Sequence, residues 1–189
     1  MYTKATVLKA TAFLASTMLL AGSQSAMALS VSGSANPDGY GVQASQGILP
    51  SVRAGAGYFS SDDSGHHADI YSGSLMFSPP LPVADVEVGA RYRYQTTYYG
   101  DGGGVGIGGS LFVPTPIPLL KVGGRGFYTP EGMTHGDLED SREYMAEARI
   151  KLTSQTYAFG GYRYYRADFD HRGSHTLDKG AVFGVSVGF

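Results

Sequence analysis

Period-two alternation of apolar and polar residues runs through ten segments, strong turn chemistry separates them, and tyrosines gather on one face at one end. Together these predict an all-β fold: a transmembrane, antiparallel up-and-down β-barrel of ten strands, or of eight if the first hairpin lies outside the wall.

The chain has 189 residues, and its first 28 read as a removable leader. Lys4 and Lys9 form a basic start. TAFLASTMLLAG (11–22) is an apolar core too short to cross a bilayer as a mature helix, and Ala26-Met27-Ala28 is a small-residue cleavage site. The expected division is a signal peptide over 1–28 and a barrel domain over 29–189, with cleavage before Leu29. Without the two leader lysines the chain carries 12 basic and 16 acidic residues, a balance that points away from nucleic acid. It has no cysteine, so export is combined with a fold held by pairing and packing alone. No apolar run of 18 residues follows the leader, so membrane crossing falls to strands.

The strand segments are 29–35, 40–46, 52–59, 70–78, 86–95, 105–113, 119–128, 143–152, 157–166 and 181–189. NPDG (36–39) joins the first two as a type I turn, with Pro at its second place and Gly at its fourth. GILPS, SPPLPVAD, PTPIP and TSQT follow the second, fourth, sixth and eighth segments, and three of them carry the proline that a central strand excludes. SSDDSGHHAD, TTYYGDGGG, TPEGMTHGDLEDS and ADFDHRGSHTLDK follow the third, fifth, seventh and ninth, and read as longer polar loops. Short turns at one end and long polar loops at the other are the asymmetry of an outer-membrane barrel. An even strand count returns both termini to the short-turn, periplasmic side.

The face that meets lipid follows from cost. In DVEVGARYRYQ (85–95), Val86, Val88, Ala90, Tyr92 and Tyr94 share one face, and Glu87, Arg91 and Arg93 share the other. A lipid-facing arginine near the midplane costs about 2–4 kcal/mol, so the arginines point in and the tyrosines out. The same parity puts Arg53, Lys121, Arg125, Glu143, Glu147, Arg149, Lys151 and Arg163 inside. It puts Tyr58, Tyr71, Tyr92, Tyr94, Tyr128, Tyr144, Tyr162 and Tyr164 outside, all at the long-loop end, as an interfacial girdle. Phe77 and Phe189 belong to the opposite girdle. A soluble barrel cored by this face would have to satisfy the same hydroxyls in its interior and would leave their clustering unexplained.

Four stretches carry a family resemblance: LSVSGSA after the leader, VPTPIPLLKVGGRGFYT (113–129), YAFGGYRYYR (157–166) and the closing GVSVGF. Through them the chain resembles the YfaZ family of small Gram-negative outer-membrane proteins, over most of its mature length. The resemblance implies an outer-membrane β-barrel with no established catalytic or ligand residues.

Three chemistries compete for the remaining residues. Pore-lining candidates are the eight basic residues Arg53, Arg91, Arg93, Lys121, Arg125, Arg149, Lys151 and Arg163, with the three acids Glu87, Glu143 and Glu147. They make either a self-satisfied charge network in a filled lumen or a narrow pore preferring small anions. All five histidines (His66, His67, His135, His171, His175) lie in the polar segments beside Asp63, Asp69, Asp137, Asp170 and Asp178, without the spacing of a structural zinc site, so no metal or cofactor is expected. Ser174, His175 and Asp178 share one segment, but adjacent Ser and His make a poor dyad, and the glycines at 102–109 precede no helix; no enzyme is expected. The function expected is passive transport or, alternatively, envelope structure without conductance; a lipid A-modifying enzyme ranks below both. Expected partners are membrane lipid, lipopolysaccharide and the barrel-assembly machinery, the last through Phe189 as assembly signal on the closing strand.

Overall fold

The computed structural model describes residues 29–63 and 66–189; the leader reading over 1–28 lies outside the described residues. The wall strands are β1 (Leu29–Asn36), β2 (Gly39–Leu49), β3 (Val52–Asp63), β4 (His66–Phe77), β5 (Asp85–Thr97), β6 (Gly100–Pro114), β7 (Leu120–Thr129), β9 (Leu138–Lys151), β10 (Thr156–Phe169) and β11 (Gly173–Gly188). Each pairs antiparallel with its neighbours in chain order, and β1 pairs with β11, so ten strands close a ring without a free edge. The three-residue β8 (Thr134–Gly136), behind a short 3-10 turn, lies outside that ring and extends β6 above the end of β7. The first hairpin belongs to the wall, because β1 bonds both β2 and β11; the eight-strand alternative is excluded. Closure satisfies every strand within the sheet, the condition for placing β structure in lipid.

Register turns the tyrosine girdle into rows. Tyr58, Tyr71 and Tyr94 face one another directly across β3, β4 and β5, and Tyr144 faces Tyr164 across β9 and β10. Below them the outer surface is an apolar belt that includes Leu75, Val88, Ile107, Leu111, Val122, Ile150, Phe183 and Val185, all exposed. Phe77 and Phe189 stand exposed at the lower end, which both barrel ends of the chain share.

The polar segments differ from the loops read in sequence, because most of their residues continue the strands. β9 and β10 have 14 residues each and β11 has 16, where about 9–11 cross a bilayer. The surplus rises past the tyrosine rows as a collar. Up there the outer face meets water rather than acyl chains, so it carries polar residues such as Asp140, Arg142 and Asp168, and the outward apolar stripe that marks a belt strand is lost. Arg142 on this face lies 3.3 Å from Asp140 and 3.8 Å from Asp168. Partial burial, reinforced by the neighbouring Asp168 charge, raises the Asp140 carboxyl above its ordinary range. Two of the connections left at this end are short, with Tyr98 and Tyr99 joining β5 to β6 and residues 170–172 joining β10 to β11, whereas residues 130–137, which include β8, join β7 to β9.

Inside the upper part of the barrel lies a small apolar core of Ile70, Leu138, Tyr165, Ala167, Phe169 and Leu177, with Phe59 and Tyr99 packed against it. A β-bulge helps to build it. Tyr165 pairs with Asp178 while Arg166 pairs with Thr176, so Leu177 is extra, and Leu177 and Asp178 are both buried although adjacent.

Candidate functional site

Wall parity sends the charged side chains inward, where they form a layer across the middle of the lumen. Arg91 and Arg93, two apart on β5, both donate through Nη2 to the Glu143 carboxylate on β9. Arg163 on β10 donates through Nε to Asp178, whose other oxygen accepts Nδ2 of Asn36 at 2.6 Å. Glu147 takes Arg125 at 2.6 Å and Arg149 at 2.5 Å, one on each oxygen. Burial strengthens such pairs and makes the loss of either partner costly.

Four of the five arginines of the layer also rest on a ring. Arg91 lies 3.8 Å above Phe127, Arg149 3.4 Å above Phe112, Arg163 3.9 Å above Phe59 and Arg93 4.3 Å above Tyr165. Three inward phenylalanines in turn lie over glycines directly opposite on the next strand: Phe127 over Gly108, Phe112 over Gly123 and Phe159 over Gly184. A Cβ at Gly184 would come 2.3 Å from the Phe159 ring, so glycine is what lets that ring lie flat on the wall. Cation–π contact in a desolvated interior adds to the ion pairs.

The lumen differs above and below this layer. Above it stands the apolar core, and beside that core Tyr165 donates to the buried Gln95 amide oxygen. Below it a chamber of about 960 Å³ extends to the end that holds both barrel termini, with Ser154, Gln155, Gly188 and Phe189 at its mouth. Its lining stops at Phe59, Ile70 and Tyr165, the underside of the core. Around the chamber, Arg53 reaches Glu87 at 3.4 Å and Lys121 reaches Asp85 at 2.5 Å. Glu87 also accepts the Ser78 hydroxyl at 3.1 Å. Lys151 lines the mouth and, among the described residues, has no carboxylate within ion-pair distance.

The eleven lumen candidates therefore gather in or beside one interior, in a mid-height layer and a basic lower chamber. Sequence reading misses Asp178, assigned to a loop, because the closing strand is read to begin at 181, whereas β11 begins at Gly173 and carries the belt's parity up to Asp178. It also passed over Asp85 and the inward rings Phe59, Phe112, Phe127, Phe159 and Tyr165. Strand parity was the signal that would have found the phenylalanines, since Phe127 shares the face of Lys121 and Arg125.

Three of the histidines, His66, His135 and His175, pack against aromatic rings, while His67 and His171 lie 3.1 Å from Asp69 and 3.3 Å from Asp170. His175 stacks on Tyr99 with centroids 3.7 Å apart, and Nε2 of His135 lies 2.9 Å from the Tyr92 hydroxyl. Among the described residues, no three His, Asp or Glu side chains converge as metal ligands. Ser174, His175 and Asp178 are separated by their partners: Ser174 accepts Arg166, His175 Nε2 lies 2.9 Å from the Arg172 carbonyl, and Asp178 is buried on Arg163.

A closed antiparallel wall with an apolar belt outside and its charges inside defines an outer-membrane type of β-barrel. The family model described as YfaZ precursor matches residues 8–189, and the chain belongs to the YfaZ family. No curated protein matches the chain in sequence. Among solved structures it is similar to the outer membrane channel DcaP of Acinetobacter baumannii, at 9% identity and a TM-score of 0.42, covering 80% of this chain and 51% of that one. It is also similar to an anion-selective porin from Comamonas acidovorans, at 14% identity and a TM-score of 0.37, covering 79% and 47%. The chain spans about half the length of these two proteins.

Proposed function

We propose that this protein is a non-conducting, non-enzymatic barrel of the Gram-negative outer membrane, serving envelope structure, with its termini and lower chamber on the periplasmic side. The observation that carries this reading is the apolar core of Ile70, Leu138, Tyr165, Ala167, Phe169 and Leu177 standing over the charge layer. A hydrated ion crossing the barrel would have to enter that packed volume. The belt between the tyrosine rows and Phe77 meets lipid, the charged collar meets lipopolysaccharide, and the closing strand with Phe189 is the handle for the assembly machinery.

Refolded protein in planar bilayers should carry no discrete current, while deletion in cells should weaken the envelope against detergents. Stepwise conductance in purified protein would overturn the reading. The basic excess of the lower chamber favours a second reading, a narrow anion-preferring pore. It calls for anion-selective steps whose selectivity reverses on Arg91→Glu with Arg93→Glu. The absence of enzymatic activity is checked by lipid A mass on overexpression, which should not change.

A further inference from the structure

The lower chamber holds more positive charge than its own carboxylates neutralise, and the surplus is local. Lys121 on β7 and Arg149 on β9 are directly opposite across paired strands, and both line the chamber. Like charges in that relation repel in an isolated sheet. Lys151 lies two residues beyond Arg149 on the same face, nearer the mouth, and Arg125 completes the patch from above. Asp85 and Glu147 are the carboxylates paired with these four cations, which leaves two positive charges over. The geometry of Arg149 directs its free groups into the chamber. Its Nε is committed to Glu147, its plane lies on Phe112, and its two terminal amino groups have no hydrogen-bond partner among the described residues.

The neighbouring wall is aromatic. On β10, Phe159 faces Arg149 and Tyr157 faces Lys151. Both rings line the chamber beside the cations. A volume of about 960 Å³ is at the upper end of the range for small-molecule pockets.

We infer that the chamber is a binding site for an amphiphilic phosphate monoester, its dianionic head between Lys121, Arg149 and Lys151 and its apolar body against Tyr157 and Phe159. The head's charge of about −1.5 to −2 at neutral pH matches the surplus of two, and arginine and lysine together supply the donors that phosphate oxygens take. A ligand enters and leaves by the lower mouth, a detail that rests on the closed-lumen reading above. Its source is either a soluble periplasmic ester or a lipid headgroup of the inner leaflet.

The test is equilibrium binding to refolded protein in phosphatidylcholine nanodiscs, with phenyl phosphate, inorganic phosphate and the neutral phenyl glucoside as probes. Phenyl phosphate should bind on the order of tenfold or more tighter than inorganic phosphate, and phenyl glucoside should not compete. Lys121→Gln with Arg149→Gln and Lys151→Gln should abolish phenyl phosphate binding. Phe159→Ala should remove the advantage over inorganic phosphate while leaving inorganic phosphate binding unchanged. Should the triple variant not fold, Lys151→Gln alone, which breaks no ion pair found among the described residues, should weaken phenyl phosphate about tenfold. Competition from nanodiscs containing a lipid phosphate monoester such as phosphatidic acid identifies a headgroup source, and its absence a soluble one. Equal affinity for phenyl phosphate and phenyl glucoside, or wild-type affinity in the Lys151 variant, would overturn the site. Conductance is recorded on the same preparation: current with binding retained removes the closed-lumen reading and keeps the site, whereas silence without binding removes the site alone.

Discussion

Arg163 and Asp178 meet inside the barrel across β10 and β11, the arginine donating through Nε to a carboxylate that sits just below the bulge at Leu177. Both side chains are nearly sealed from solvent, and Asn36 holds the second carboxylate oxygen at 2.6 Å. Asp178→Asn removes the anion and leaves a buried guanidinium resting on Phe59. The expected loss is about 3–5 kcal/mol, the cost of breaking a buried pair. It should appear as a lower midpoint in urea unfolding of the refolded barrel. Arg163→Met added to Asp178→Asn should recover most of it, because replacing both charges spares the desolvation. An unchanged midpoint in the single variant would show that the pair contributes nothing.

This pair marks where the sequence stopped being legible. Arg163 was readable as inward from its place between Tyr162 and Tyr164, since lipid penalises the opposite choice. Asp178 keeps the parity of the buried Val182 and is missed only because a closing strand read to begin at 181 leaves HTLDK to a loop. The same limit explains the collar. Strands in the belt announce themselves by an apolar face, whereas Ser174, His175 and Thr176 on β11 are polar on both faces and read as loop. Parity also located the charges without the core above them. Leu138, Phe169 and Leu177 come from two of those polar segments and three strands, and meet only once the strands are paired.

The belt makes a prediction of position. Leu75 points outward between Tyr71 and Phe77, and Thr96 points outward one step above Tyr94. Leu75→Arg should cost about 2–4 kcal/mol, the penalty near the midplane, and Thr96→Arg no more than about 1 kcal/mol at the interface. Unfolding in lipid vesicles measures both. Equal costs would mean that the tyrosine rows do not mark the membrane boundary.

The apolar core makes a prediction of conductance. Phe169→Ala with Leu177→Ala empties volume from the cluster above the charge layer. Large-to-small changes of this kind cost about 2–5 kcal/mol each, so a lowered unfolding midpoint should accompany them. The double variant should gain a small current, anion-preferring because the residues next encountered are Arg91, Arg93 and Arg163. A folded double variant as silent as the parent would place the barrier lower, at the Arg91–Glu143–Arg93 bridge.

Phe189 separates folding from delivery. Its N–H donates to the Leu29 carbonyl at 2.7 Å, a backbone bond that fastens the closing strand to the first and that any side chain permits. The ring itself is 70% exposed at the lower girdle, so its removal takes little packing from the folded barrel. Phe189→Ala should therefore leave the urea midpoint of refolded protein within about 0.5 kcal/mol of the parent, as for an ordinary surface change. In cells the same variant should lose most of its heat-modifiable, folded form, if the ring is what the assembly machinery grips. Phe77→Ala is the control, since it removes a ring from the same girdle on a strand that does not close the barrel. Equal cellular yields of the two variants would reduce Phe189 to one more interfacial aromatic. A fall in yield confined to Phe189→Ala, with both midpoints unchanged, would assign it to recognition rather than to stability.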